Sequence, residues 1–156
     1  MKIMFVCHGN ICRSPMAEYI TIELLKRNNI QGCIVNSCAV SSEEIWGGRG
    51  NDVDYRARGV LERHKIPVWS REATLIKKSD YTEYDVILCM DRNNIRWLER
   101  ILGEDKDKKI YLLFDYCLNE KNRDVEDPWY SGNFEKVYDE IYMCCDALVN
   151  KIKGKN

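Results

Sequence analysis

The sequence predicts an α/β fold: an open, mostly parallel four-stranded sheet flanked by helices on both faces. Three observations carry this. Four short apolar runs, KIMFVC at 2–7, CIVNSC at 33–38, DVILCM at 85–90 and KIYLL at 109–113, have the length and composition of strands. Helix-compatible sequence separates each from the next, the pattern of strand–helix–strand crossovers. The runs are apolar with little alternation, so each strand is expected to be covered on both faces.

The elements follow in order. After the first run, Ala17, Ile20 and Leu24 recur at helical spacing; after the third, Ile95, Leu98 and Leu102 do the same. The last helix is the clearest, with Phe134, Val137, Tyr138, Ile141, Cys144, Cys145, Leu148, Val149 and Ile152 forming one stripe. Residues 39–53, containing WGGRGN, and 113–132, containing RDVEDPWYSGN, are expected to be long loops, which in compact domains often carry function. GGRG lacks the Lys-Ser/Thr ending of a nucleotide-binding loop and is expected to be flexible. At 156 residues without internal repeats, the chain is expected to form one domain, 1–156.

Composition narrows the function classes. With 25 acidic and 24 basic residues, the formal charge is -1, and no nucleic-acid partner is expected. Only five apolar residues separate Lys2 from His8, too few for a secretory signal, and no later stretch approaches a membrane span. No membrane insertion and a cytoplasmic location are therefore expected. The eight cysteines (7, 12, 33, 38, 89, 117, 144, 145) are then expected to stay reduced, several acting as small hydrophobes. Cys7/Cys12 and Cys33/Cys38 share a gap found among zinc ligands. An odd separation along a strand sends Cys33 and Cys38 to opposite faces, however, and no metal or cofactor is expected.

The most informative stretch is CHGNICRSP at 7–15. The spacing Cys-x5-Arg is weak evidence alone, since it recurs as CLNEKNR from Cys117 to Arg123. That second copy has no glycine, carries Glu120 and precedes no direct helical run. In the first, a strand delivers Cys7, Gly9 permits unusual backbone angles, and Ser14-Pro15 begins a helix. Successive loop N–H groups, the helix N-terminus and the planar fork of Arg13 can then converge on one tetrahedral oxyanion such as phosphate.

The field that holds phosphate also favours the thiolate of Cys7, so cradle and nucleophile are one device. Ser14 can donate to that thiolate or cap the helix, and the roles are compatible. Asn10 tolerates a left-handed conformation and can tie the loop internally. Displacing phosphate from an ester also needs a proton donor for the leaving oxygen and a base for water. Asp127 in EDPWY is the best placed acid, because Pro128 stiffens a loop able to overhang the cradle; Glu126 is the rival.

VCHGNICRSPMAE, together with DPWY, SSEEI and ILCMD, closely resembles the low-molecular-weight protein tyrosine phosphatases along nearly the whole chain. The resemblance implies a metal-free enzyme whose partners are tyrosine-phosphorylated proteins; it is silent on oligomeric state. It implies that Cys7 forms a phosphocysteine, that Arg13 binds the phosphoryl group, and that Asp127 protonates the leaving phenol before activating water. His8, Gly9, Asn10, Ile11, Cys12 and Ser14 complete the substrate-binding loop. By the same resemblance, Cys12 can pair reversibly with Cys7. Trp46, Trp129 and Tyr130 match aromatic walls of a phosphotyrosine cleft, and Tyr130 is a potential phosphorylation site.

Ile11 favours an aryl phosphate, since relatives resembling phosphoarginine phosphatases carry threonine there. Some positions depart from the pattern. His8 stands where an uncharged residue is expected, Cys38 and Val40 replace small residues, and the WGGRG loop is rearranged. His8 is expected at the rim, where its charge can tune specificity near neutral pH, and His64 is expected to be structural. Three other readings compete: a phosphoarginine phosphatase, a thiol-linked arsenate reductase and a non-catalytic phosphoprotein-binding module. The reductase needs further relay cysteines, but none follows Cys89 until Cys117. The binding module would not need Cys7, Arg13 and Asp127 together.

Overall fold

The computed structural model describes residues 1–154. In chain order the elements are β1 (Lys2–Cys7), α1 (Arg13–Arg27), β2 (Ile34–Ala39), β3 (Ile45–Trp46), β4 (Arg49–Gly50), α2 (Tyr55–Arg63), α3 (Lys78–Glu83), β5 (Val86–Cys89), α4 (Arg92–Leu102), β6 (Ile110–Leu112), α5 (Leu113–Leu118), α6 (Pro128–Ser131) and α7 (Phe134–Gly154). Four strands form a parallel sheet in the order β2-β1-β5-β6. This is the expected open α/β sheet, and its four strands are the four apolar runs within one or two residues at each end.

Alternation along each strand divides the core into two layers. Ile3, Phe5 and Cys7 of β1, with Val35, Val86 and Leu88, pack beneath α1, α2, α5 and α7. Met4, Val6, Cys38, Ile87 and Cys89 point the other way, toward α3 and α4. Both faces of β1 are thus dry, which is why its sequence is continuously apolar. All nine residues of the α7 stripe are buried. At about 1.5–3 kcal/mol per fully buried large aliphatic side chain, that stripe docks α7 far more firmly than helix propensity could.

Two expected loops contain regular structure. Residues 113–132 hold α5 and α6: Leu113, Phe114 and Cys117 form a buried helical face, and Asn119 ends α5 in a left-handed conformation with φ of 56°. Strand β6 therefore stops at Leu112, because Leu113 belongs to a helix. Residues 39–53 hold the antiparallel pair β3–β4, so the stretch read as flexible is a hairpin. Gly47 and Gly48 turn it with φ of 56° and 79°, the positive pair that a type I′ turn requires.

Gly50 has a different reason to be glycine. A Cβ there would lie 1.9 Å from the Ala73 carbonyl oxygen, where the hairpin presses on the segment bonded to the end of β2. Gly50→Ala is expected to force these backbones apart and destabilise the fold by about 1–3 kcal/mol, measured as a lower urea midpoint.

Candidate active site

The chain passes from β1 to β2 on one side and later to β5 on the other, so the sheet order reverses at β1. Open α/β sheets form a crevice beyond the carboxyl ends of the strands at such a point. Cys7 is the last residue of β1 and therefore sits at that crevice, with the loop 8–12 leading into α1. Three backbone bonds anchor this loop: Val40 N–H to Cys7 O (3.2 Å), Ser41 N–H to His8 O (3.0 Å) and Asp54 N–H to Ile11 O (2.8 Å).

Asn10 organises the loop from inside. It is fully buried and left-handed, with φ of 60°. Its Nδ2 donates to Ser14 Oγ (2.8 Å) and Ser37 Oγ (2.9 Å), and its Oδ1 accepts from Thr74 N–H (3.1 Å). Ser37 donates onward to Glu18 (2.5 Å), and Ser14 Oγ lies 3.0 Å from Cys7 Sγ, where its hydroxyl can donate once the sulfur is a thiolate, which has no proton of its own to give. Asn10 N–H is a second donor to that sulfur, at 3.3 Å. Burial pushes the Glu18 carboxyl up, opposed by its bond from Ser37. The helix N-cap is Cys12, so Ser14 acts toward sulfur rather than as the cap weighed from sequence.

Among the described residues, the N–H groups of Gly9, Ile11 and Cys12 have no protein acceptor. They are available to an oxyanion. Arg13 is 2% exposed, and its Nη1 donates to Asp91 Oδ2 (2.8 Å) and Val125 O (2.7 Å). Its Nη2 lies 3.6 Å from Asp127 Oδ2. Burial works against the guanidinium charge, but Cys7, Asp91 and Asp127 outweigh it and hold the Arg13 pKa up. Asp91 is itself fixed as the N-cap of α4, accepting from Asn94 N–H at 2.8 Å.

The acid candidates separate clearly. Asp127 lines the same cleft as Cys7, Cys12 and Arg13, and its position is set by capping α6 through Trp129 N–H (3.1 Å). Glu126 does not line it. A 2.6 Å bond from Lys136 and contacts with Ser131 and Asn133 hold the Glu126 carboxyl down to about 2 and keep it occupied away from the cleft.

The rest of the cleft is formed by His8, Gly9, Ile11, Glu43, Glu44, Trp129 and Tyr130. Trp46, expected as an aromatic wall, is not among them; it stands 74% exposed on the β3–β4 hairpin. Glu43 and Glu44 occupy the loop just before that hairpin, and sequence reasoning did not single them out. Burial pushes the Cys12 thiol up, with Asp54 and Cys7 acting in the same direction. The second Cys-x5-Arg is dispersed: Cys117 is buried in the α7 layer, while Arg123 pairs with Glu120 and Glu140.

Asp91, Ser37, Glu18 and Thr74 also went unread. For Asp91 a signal existed, since it follows directly after the third apolar run, where sheets of this class place functional groups. The others have no local signature. His64 pairs with Glu135 (2.8 Å) and stacks on Tyr138 with centroids 4.0 Å apart, a surface brace. Among the described residues, His64, Glu135 and Asp139 are the one group of potential metal ligands with atoms within 4.8 Å of one another, and none lines the cleft.

Comparison with known proteins gives one result. A family model described as low molecular weight phosphotyrosine protein phosphatase matches residues 2–156. The human protein of that name is 42% identical over 96% of this chain and 94% of its own, and PtpA of Staphylococcus aureus is 35% identical over 97% and 94%. Among solved structures, YfkJ of Bacillus subtilis matches with a TM-score of 0.90 at 32% identity, covering 100% of this chain and 96% of that one. An Entamoeba histolytica protein tyrosine phosphatase, with Hepes in its active site, matches with a TM-score of 0.84 at 31% identity, covering 100% and 99%. The chain therefore belongs to the low molecular weight phosphotyrosine protein phosphatase family.

Proposed function

We propose that this protein hydrolyses phosphotyrosine in proteins by a two-step covalent route, with Cys7 as nucleophile, Arg13 as phosphate ligand and Asp127 as acid and base. The observation that carries this reading is the convergence on one cleft of a sulfur with two donors, a buried arginine and a carboxylate 3.6 Å from that arginine. In the first step Cys7 Sγ attacks phosphorus, an S–P bond forms, the P–O bond to tyrosine breaks, and Asp127 gives its proton to the departing phenolic oxygen. In the second, Asp127 takes a proton from water, the water oxygen attacks phosphorus, and the S–P bond breaks to release phosphate.

Loop N–H groups and the Arg13 fork bind the non-bridging oxygens, where charge spreads as the bonds change. Ser14 and Asn10 N–H hold the sulfur as an acceptor before attack and as a leaving group after it. Trp129 and Tyr130 are suited to flank an aryl ring. We assign His8, Gly9, Ile11 and Cys12 to the substrate loop on the same grounds, and leave Trp46 outside it. We also propose a cytoplasmic location, which eight unpaired cysteines suit. No helix among the described residues is long and apolar enough to cross a membrane.

Cys7→Ser should abolish release of phosphate from phosphotyrosine peptides while the protein remains folded by circular dichroism. Asp127→Ala should slow phenyl phosphate hydrolysis by about 10²–10⁴-fold and p-nitrophenyl phosphate much less, because the better leaving group needs less protonation. Equal losses on both would transfer the acid role elsewhere. Glu126→Gln should retain parental rates on both esters. Asn10→Ala removes the loop's internal ties and should lower kcat at least tenfold; unchanged turnover would show that the loop holds its shape without them.

A further inference from the structure

The cleft has two chemically unlike linings. Trp129 and Tyr130 supply aromatic surface, whereas His8, Glu43 and Glu44 supply ionisable groups. The ionic part is assembled with some precision. His8 Nε2 lies 3.2 Å from Glu43 Oε2, and the imidazole meets the Trp97 ring edge-on with centroids 5.5 Å apart. Ser41 N–H donates to the His8 carbonyl (3.0 Å), and Ser41 Oγ accepts from Glu43 N–H (3.2 Å). The backbone carrying Glu43 is thereby tied to the residue that follows the nucleophile.

Glu44 is committed elsewhere. Its carboxylate accepts from Asn51 Nδ2 at 2.7 Å, bracing the base of the hairpin. Glu43 is different: its side chain is 68% exposed, and among the described residues its carboxylate has only His8 Nε2 within salt-bridge distance. A phosphorylated aromatic ring needs only apolar walls and the phosphate cradle. A carboxylate beside a site for a dianion opposes binding through Coulomb repulsion, unless the substrate brings a compensating positive charge to it. Arg13 does not offset Glu43, because its charge is committed to the phosphate and to Asp91 and Asp127.

We propose that Glu43, oriented by His8, is a specificity determinant that selects phosphotyrosines flanked by basic residues and disfavours those flanked by acidic ones. This rests on the phosphotyrosine reading and narrows its substrate class. It also accounts for a histidine beside the nucleophile: clamped between Glu43 and Trp97, His8 sets the direction of a charge rather than taking part in phosphoryl transfer.

The test uses three phosphotyrosine peptides, identical except for Lys, Gln or Glu on both sides of the phosphotyrosine. Phosphate release is followed for the parent protein, Glu43→Gln and Glu43→Lys, with p-nitrophenyl phosphate as a reference ester. The parent should show kcat/KM about tenfold higher for the Lys-flanked than the Glu-flanked peptide at low ionic strength, and the ratio should shrink as salt is added. Glu43→Gln should bring the ratio near one and Glu43→Lys should invert it. Partial misfolding lowers all three rates together and leaves the ratio readable. A parent ratio of one at low salt, or an unchanged ratio in Glu43→Lys, overturns the proposal. Hydrolysis of all peptides without charge preference sinks the specificity claim alone; failure to hydrolyse any peptide or the reference ester removes the phosphatase reading and this inference with it.

Discussion

The site depends on the buried side-chain amide of Asn10. A loop that must present its N–H groups outward cannot satisfy itself through a backbone ladder, so it needs an internal partner of another kind. Asn10 supplies one at three points, reaching Ser14 ahead of it, Ser37 within β2 and Thr74 in the segment alongside. Its left-handed backbone would be costly for most side chains, and this network offsets that cost. The same bonds link Glu18, Ser37, Asn10, Ser14 and Cys7 in one continuous hydrogen-bonded chain. One residue thereby fixes loop shape and sulfur environment together.

A second constraint is the burial of Arg13. An uncompensated guanidinium at that depth would cost several kcal/mol, so its partners are as necessary as the residue itself. They come from two separate parts of the chain: Asp91 after β5, and the stretch before α6 that supplies both the Val125 carbonyl and Asp127. Compensating the charge and gathering the catalytic groups are one act of packing. Val125 N–H also bonds to the Met90 carbonyl at 2.8 Å, so the loop carrying Asp127 hangs from the end of β5 rather than floating above the cleft. Rigid support of this kind is what a proton donor needs, since small displacements cost orders of magnitude in rate.

Elements whose signal is burial could be read directly. The four strands and the apolar stripe of α7 were legible because removal from water imposes composition and periodicity that survive in one dimension. Short elements were not: α5, α6 and the β3–β4 hairpin span two to six residues each, less than the window in which periodicity rises above chance. The hairpin also showed how glycines mislead. Gly47 and Gly48 signal a turn as readily as a flexible loop, and only the pairing of Ile45–Trp46 with Arg49–Gly50 decides between them. Trp46, expected as a cleft wall from its match to the family pattern, lies outside the cleft on this rearranged hairpin, because a resemblance in sequence does not fix which face of a two-residue strand a side chain occupies.

By itself, the sequence determined the sheet's four strands and the loop after the first of them, and it singled out Cys7 and Arg13 as the residues proposed for nucleophile and phosphate ligand. It could do so because Cys7, Gly9, Arg13 and Ser14 act within one continuous turn whose chemistry is local. Tertiary structure alone decided which carboxylate supports Arg13 and which residues form the ionic part of the lining, and it gave the physical reason why Asp127 rather than Glu126 faces the cleft. Asp127 and Glu126 are neighbours in sequence with the same functional group. Folding turns one toward Arg13 and the other toward Lys136, a difference that the side chains themselves do not carry and that only their neighbours in space create.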